Sequence, residues 1–158
     1  LKTTGHFKLG NSYAIFAGFL VDDYTKEQNF VYLNGPDGGI RFKPIGNTTD
    51  SAIQHTSGSN TVNGLMRTAK FGAVASAMRG TNEMAVWENG VPIRTLGSLP
   101  TPVQDATSSL RLFNTEVVGE GKFGGYCGPI IITRGFVPSN TDSAIIHGII
   151  NDYMGVPE

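Results

Sequence analysis

Hydrophobic and polar positions in this chain change places every few residues. Apolar, β-branched and aromatic residues run through 13–21, too short a run and too poor in helix caps for a long helix, which predicts a central strand. Polar residues break it at 22–26. A second strand is expected over 29–33, a turn over 34–39, and a third strand over 40–43, where Ile40-Arg41-Phe42-Lys43 alternates apolar with basic. From 46 to 64 the chain is mostly Asn, Thr, Ser and Gly, which predicts a long exposed loop or a pair of irregular edge strands.

The pattern resumes over 71–79. Next comes the sharpest local signal, two apolar-polar runs (83–88 and 91–96) flanking Asn89-Gly90. Asn-Gly accepts the positive φ angles of a two-residue type I′ turn, so a hairpin is predicted. Pro92 cannot donate a ladder hydrogen bond, so its strand belongs at a sheet edge or carries a bulge. Residues 109–114 alternate again. The continuous apolar run 126–133 reads as a buried strand. The end of the chain is different. Ser139-Asn140-Thr141-Asp142 offers several N-caps, Ala144, Ile145, Ile149, Ile150 and Tyr153 recur at helical spacing, and Gly155 closes the pattern. One amphipathic helix packed on a strand-rich body is expected.

Composition agrees with many short strands. Among 158 residues there are 21 glycines and eight prolines, the glycines about twice the usual share of roughly 7%. The length suits one domain over 1–158. No apolar run approaches the roughly 20 residues of a membrane-spanning helix, so membrane insertion is not expected. A formal charge of −1, with no Lys/Arg run, argues against a nucleic-acid partner. The lone Cys127 allows no intrachain disulfide and is expected to be a small buried hydrophobe. Leu1 opens the chain with neither an initiator Met nor a signal-peptide pattern, which suggests a piece of something longer.

The order of elements resembles the concanavalin A-like lectin/glucanase superfamily in its laminin G-like form. Residues 84–91 carry the strand-Asn-Gly-strand hairpin. Ser109 to Phe113 followed by Lys122 to Ile132 resembles the penultimate strand, glycine turn and last long strand. Arg134-Gly135-Phe136-Val137-Pro138-Ser139 is similar to the segment that ends many such domains, and 12–45 fits the first strands. The resemblance implies an all-β, antiparallel two-sheet jelly-roll sandwich, here with a C-terminal helix. It also implies extracellular or virion-surface placement, since such domains sit on secreted proteins and some on phage tails. Members bind glycans, bind proteins or hydrolyse polysaccharides.

Glycoside hydrolysis needs two carboxylates about 5 to 10 Å apart. Glu83 and Glu88 come nearest, but members that hydrolyse glycans place an Asp between two such Glu, and Ala85 stands there. Five positions of separation also puts them on opposite faces of a regular strand. Gly119 to Gly124 matches G-x-G-x-x-G, yet a strand is expected after it where a dinucleotide site needs a helix N-terminus, so it reads as a turn. No G-x-S-x-G elbow is present. His6, His55 and His147 are too scattered for a zinc site, so no metal site is expected. Calcium alone stays open, through Asp22, Asp23 and Asp37 in the early loops.

What remains is binding. A sugar is held by an aromatic ring stacked on its apolar face and by planar polar groups paired with its hydroxyls. Trp87, the only tryptophan, shares a strand face with Glu83 and Ala85, and that mixed face is the candidate exposed one. Asn89 and Arg94 join it on the hairpin, with Tyr24, Asn34 and Asp37 from the early loops. The alternative placement of Trp87 is inside the sandwich core. The expected function is a non-catalytic carbohydrate-binding or receptor-recognition module of a larger protein, with a glycan or host-surface receptor as partner and a homo-oligomer compatible through the parent protein. A structural assembly domain of a phage particle is the competing class, and a depolymerising glycosidase the third.

Overall fold

A computed structural model describes residues 11–21, 28–33, 39–44, 51–57, 60–66, 73–100, 110–112 and 125–155. Ten strands precede one helix: β1 (Tyr13–Val21), β2 (Gln28–Leu33), β3 (Gly39–Pro44), β4 (Ser51–Ser57), β5 (Asn60–Met66), β6 (Ala73–Arg79), β7 (Met84–Glu88), β8 (Val91–Leu96), β9 (Leu110–Leu112), β10 (Gly125–Arg134) and α1 (Asn140–Met154). They form two five-stranded sheets, ordered β10-β1-β6-β7-β8 and β5-β4-β3-β2-β9. Every described pairing is antiparallel. This is the jelly-roll β-sandwich with one C-terminal helix that the sequence predicts. β1 is flanked by strands on both sides, as its apolar run requires.

The hairpin forms as expected. Asn89 and Gly90 both adopt positive φ, 46° and 80°. β8 is an edge strand, and its pairing skips Ile93 between Trp87↔Pro92 and Val86↔Arg94, so Pro92 sits both at an edge and at a bulge. The polar stretch 46–64 holds strand rather than loop over much of its length. β4 and β5 pair regularly through seven positions, with β5 at the edge and β4 inside the sheet. The expectation of a buried strand over 126–133 is corrected. β10 is an edge strand, so Tyr126, Cys127 and Ile131 are exposed despite the apolar run.

The first sheet is covered on both faces. On its inner face Tyr13, Ile15, Phe19, Met84 and Val86 are buried, and Tyr13 bonds His55 of the second sheet, where Val62 is buried as well. Its outer face carries α1, and there Ala14, Phe16, Met78, Trp87 and Ile150 form one buried cluster. Ser139 caps the helix, its side-chain oxygen accepting from the Asp142 amide at 3.1 Å, and Gly155 ends it at φ 65°. The packed face of α1 differs from the expected one. Ser143, His147 and Ile150 are buried, whereas Ile145, Ile149 and Tyr153 are 55, 60 and 75% exposed. Two contacts set this rotation. Ser76 Oγ and His147 Nε2 share a hydrogen bond of 2.8 Å, and Gly18 leaves room for Ile150 to approach β1.

Candidate binding site

Trp87 is not an exposed platform, nor does it lie between the sheets. It is 5% exposed, packed beneath α1 with its ring centroid 6.4 Å from that of His147. Alternation along β7 does put Trp87 on the opposite face from Met84 and Val86, but that face is roofed by the helix. The chain's strand pattern carries no signal for such a roof.

Trp87 nonetheless forms part of the wall of two adjoining clefts between the hairpin and the start of α1. One, about 330 Å³, is lined by residues that include Glu83, Ala85, Trp87, Pro92, Thr95 and Asn140. The other, about 670 Å³ and open, runs past Gly90, Thr141, Ala144 and Ile145. Arg94 does not join them. It pairs with Val86, whose side chain faces the second sheet, while Pro92 and Thr95 pair with Trp87 and Ala85. Asn89 is half-buried in the turn. Tyr24, Asn34 and Asp37, like Asp22 and Asp23 and the Gly119 to Gly124 turn, lie outside the described residues. Among the described residues no three His, Cys, Asp or Glu side chains converge as a metal site would need.

Glu83 and Glu88 cannot flank one glycosidic bond. β7 pairs with β6 in unbroken register, so Glu88 falls on the inner face with Met84 and Val86 and is 6% exposed, while Glu83 is exposed and lines the outer cleft. The Ser76–His147 pair has the atoms of a nucleophile and base but is sealed beneath α1, with both residues fully buried. Burial holds the His147 imidazole down to about 4, so the ring is neutral at pH 7.

A second buried polar group sits between the sheets. Tyr13 Oη and His55 Nε2 share a hydrogen bond of 2.7 Å, and burial, aided by the Arg79 charge, holds His55 down to about 3. Arg79 is 1% exposed. Its Nη1 donates to the carbonyls of Gly80 at 2.7 Å and Glu83 at 3.1 Å, and its Nη2 to that of Pro100. These bonds fix the turn before β7 and the segment after β8. Their role is structural.

The second sheet aligns several polar positions by register. His55 and Val62 pair with each other and are buried toward the first sheet, so the alternate positions belong to the outer face. There the register aligns Asn29, Arg41, Gln54 and Asn63 in one row across β2, β3, β4 and β5. With neighbouring strands about 4.8 Å apart, such a row spans roughly 14 Å. Thr56 pairs with Thr61 beside it, and Tyr32 pairs with Arg111 toward the other end of the sheet. Helix α1 lies on the first sheet, against β1, β6 and β10. The sequence reading passed over this row because its residues are spread from 29 to 63 and only strand pairing aligns them.

No family model matches the chain, and no curated protein matches it in sequence. Solved structures do match. The native heptameric SAP-like pentraxin of Limulus polyphemus superposes with a TM-score of 0.70 at 8% identity, over 92% of this chain and 74% of that one. The CBM40 of Ruminococcus gnavus IT-sialidase, solved with α2,3-sialyllactose, gives 0.64 at 13% identity over 94% and 98% of the two chains. Domain 4 of AbnA, a GH43 extracellular arabinanase of Geobacillus stearothermophilus solved with arabinotriose, gives 0.63 at 16% identity over 87% and 66%. At such identities the likeness is one of fold: this chain is an antiparallel β-sandwich of the jelly-roll kind.

Proposed function

We propose that this domain is a non-catalytic glycan-recognition module of a larger extracellular protein, binding through the outer face of its second sheet. The observation that carries the reading is the row Asn29, Arg41, Gln54 and Asn63. Amide and guanidinium groups are the planar donors and acceptors that pair with adjacent sugar hydroxyls. Two of the similar structures hold an oligosaccharide, which supports the same use of this sandwich. The separation of Glu83 from Glu88 supports an absence of glycosidase chemistry. A broad glycan array probed with the wild type and with Gln54→Ala/Asn63→Ala tests the reading. Binding to a defined set of glycans, lost in the double variant while the fold is kept, is the expected result. No binding on the array, or binding that survives the double variant, overturns it.

A second reading rests on a different feature. Ile145, Ile149 and Tyr153 recur every four residues along the solvent side of α1, an apolar stripe that an assembly domain, in a phage particle or elsewhere, would cover. Light scattering after size exclusion separates the two. A monomer at about 100 μM tells against self-assembly through this stripe. An oligomer that Ile149→Glu dissociates favours it.

A further inference from the structure

We infer that the two adjoining clefts between the β7–β8 hairpin and the start of α1 dock an arginine of a protein partner, with an apolar neighbour of that arginine lying along the wider cleft. This site is on the opposite side of the sandwich from the face proposed for glycans. Its floor follows from the register. Glu83, Ala85 and Trp87 share the outer side of β7 and its approach, about 7 Å apart at the usual strand rise, and Ala85 stands between Met78 on β6 and Thr95 on β8. A methyl group between a carboxylate and an indole leaves the hollow of about 330 Å³, and Val137 and Asn140 complete its wall. Gly80 gives the carboxylate its place, since a Cβ there would lie 3.1 Å from Glu83 Cγ.

Charge decides what the hollow accepts. Glu83 is exposed and is the one charged side chain among the described residues that line it. The described basic residues of the first sheet, Arg79, Arg94 and Arg134, stand in register with Met84, Val86 and Tyr13, which are buried toward the second sheet. Helix α1 has no Lys or Arg, and its exposed charges are Asp142 and Asp152. Among the described residues this side of the sandwich is therefore anionic, and a cation entering the hollow has no resident cation to displace. A guanidinium suits it best, because it pairs with a carboxylate through two parallel hydrogen bonds and lies flat on apolar and aromatic walls such as Met78 and Trp87. The wider cleft argues for a peptide over a free cation. It continues past the shared wall of Trp87, Pro92 and Asn140 to Ala144 and Ile145, and Ile145 is 55% exposed. An apolar side chain beside the arginine covers that surface.

Trp87, the only tryptophan, walls both clefts, so its fluorescence reports their occupation. The test follows that signal, with calorimetry beside it, during titration with acetyl-Gly-Arg-Leu-Gly-amide, with its Gln-for-Arg and Glu-for-Arg counterparts, and with n-butylguanidinium. The arginine peptide is expected to bind about tenfold more tightly than the glutamine peptide and to shift the Trp87 emission. Glu83→Gln should remove most of that difference, and raising NaCl from about 50 to about 300 mM should reduce it. Thr95→Lys sets a resident cation beside Ala85 and should weaken the arginine peptide by a similar factor. Ile145→Ser should weaken the peptide about threefold and leave butylguanidinium unchanged. All three substituted positions are exposed, and far-UV circular dichroism checks that each variant is folded.

Equal affinity for the arginine and glutamine peptides, or binding that Glu83→Gln and Thr95→Lys both leave intact, overturns the inference. Tighter binding of the glutamate peptide overturns it too, since the start of α1 would then be attracting an anion. Butylguanidinium bound as tightly as the peptide overturns the protein partner, because the wider cleft would contribute nothing. Glycan binding on the array depends on none of these results, so the two proposals fail separately.

Discussion

Replacing Trp87 with alanine separates two roles that the strand pattern leaves equivalent. The side chain is 5% exposed and packs with Ala14, Phe16, Met78 and Ile150 beneath α1. A tryptophan buries up to about 250 Å², which at about 25 cal/mol per Å² accounts for several kcal/mol. Alanine restores little of that contact, and the helix can collapse only partly into the space because the Ser76–His147 hydrogen bond pins it. A loss of about 3–5 kcal/mol is expected. For a domain of this size that corresponds to a melting temperature lower by roughly 6–20 °C. Urea unfolding followed by far-UV circular dichroism measures it, since the variant lacks the only tryptophan and with it the fluorescence signal. Glycan binding, measured where the variant is still folded, should stay within about threefold of wild type. A stability change under 1 kcal/mol combined with loss of binding would refute the reasoning and restore Trp87 as a stacking platform.

Three further outcomes follow from the same packing. A Cβ at Gly18 would lie 2.7 Å from Ile150 Cγ2, so Gly18→Ala should destabilise by about 1–3 kcal/mol in urea titrations, and Ile150→Ala in the same chain should remove most of the added penalty. Burial holds His147 down to about 4 and His55 to about 3, against 6.5 in the unfolded chain, so the unfolded state takes up protons first. Their stabilising contribution is complete above about pH 6.5 and falls as the pH drops, by about 2–3 kcal/mol per histidine at pH 4.5. The stability difference between pH 7.5 and 4.5 should therefore shrink by about 2 kcal/mol in His147→Gln. Arg79→Leu strips the carbonyls of Gly80, Glu83 and Pro100 of a donor, and a loss of about 3 kcal/mol with faster amide exchange at Leu99, whose N–H bonds Asn82, is the expected result.

Local chemistry was fully readable in the chain. Asn89-Gly90 dictates its turn because few other pairs tolerate positive φ at both positions, and Pro92 announces an edge or bulge because it lacks an N–H. The helix ends at Ser139 and Gly155 for equally local reasons. Strand positions followed from apolar alternation wherever a strand has one dry face. The readings that failed depend on what lies across the chain. Alternation leaves Trp87 between an exposed platform and the sandwich core because it reports two faces but not what covers each, and α1, which covers it, arrives from more than fifty residues away. The run ending at Thr133 looked buried because apolar content does not say whether a strand has a neighbour on both sides. The stripe of Ile145, Ile149 and Tyr153 looked like the packing face because periodicity gives a helix an apolar side without giving its rotation. That rotation was decided by Ser76, Gly18 and Ile150. The polar row across the second sheet is the extreme case. Asn29, Arg41, Gln54 and Asn63 share no local pattern, and only the pairing of four strands brings them into line.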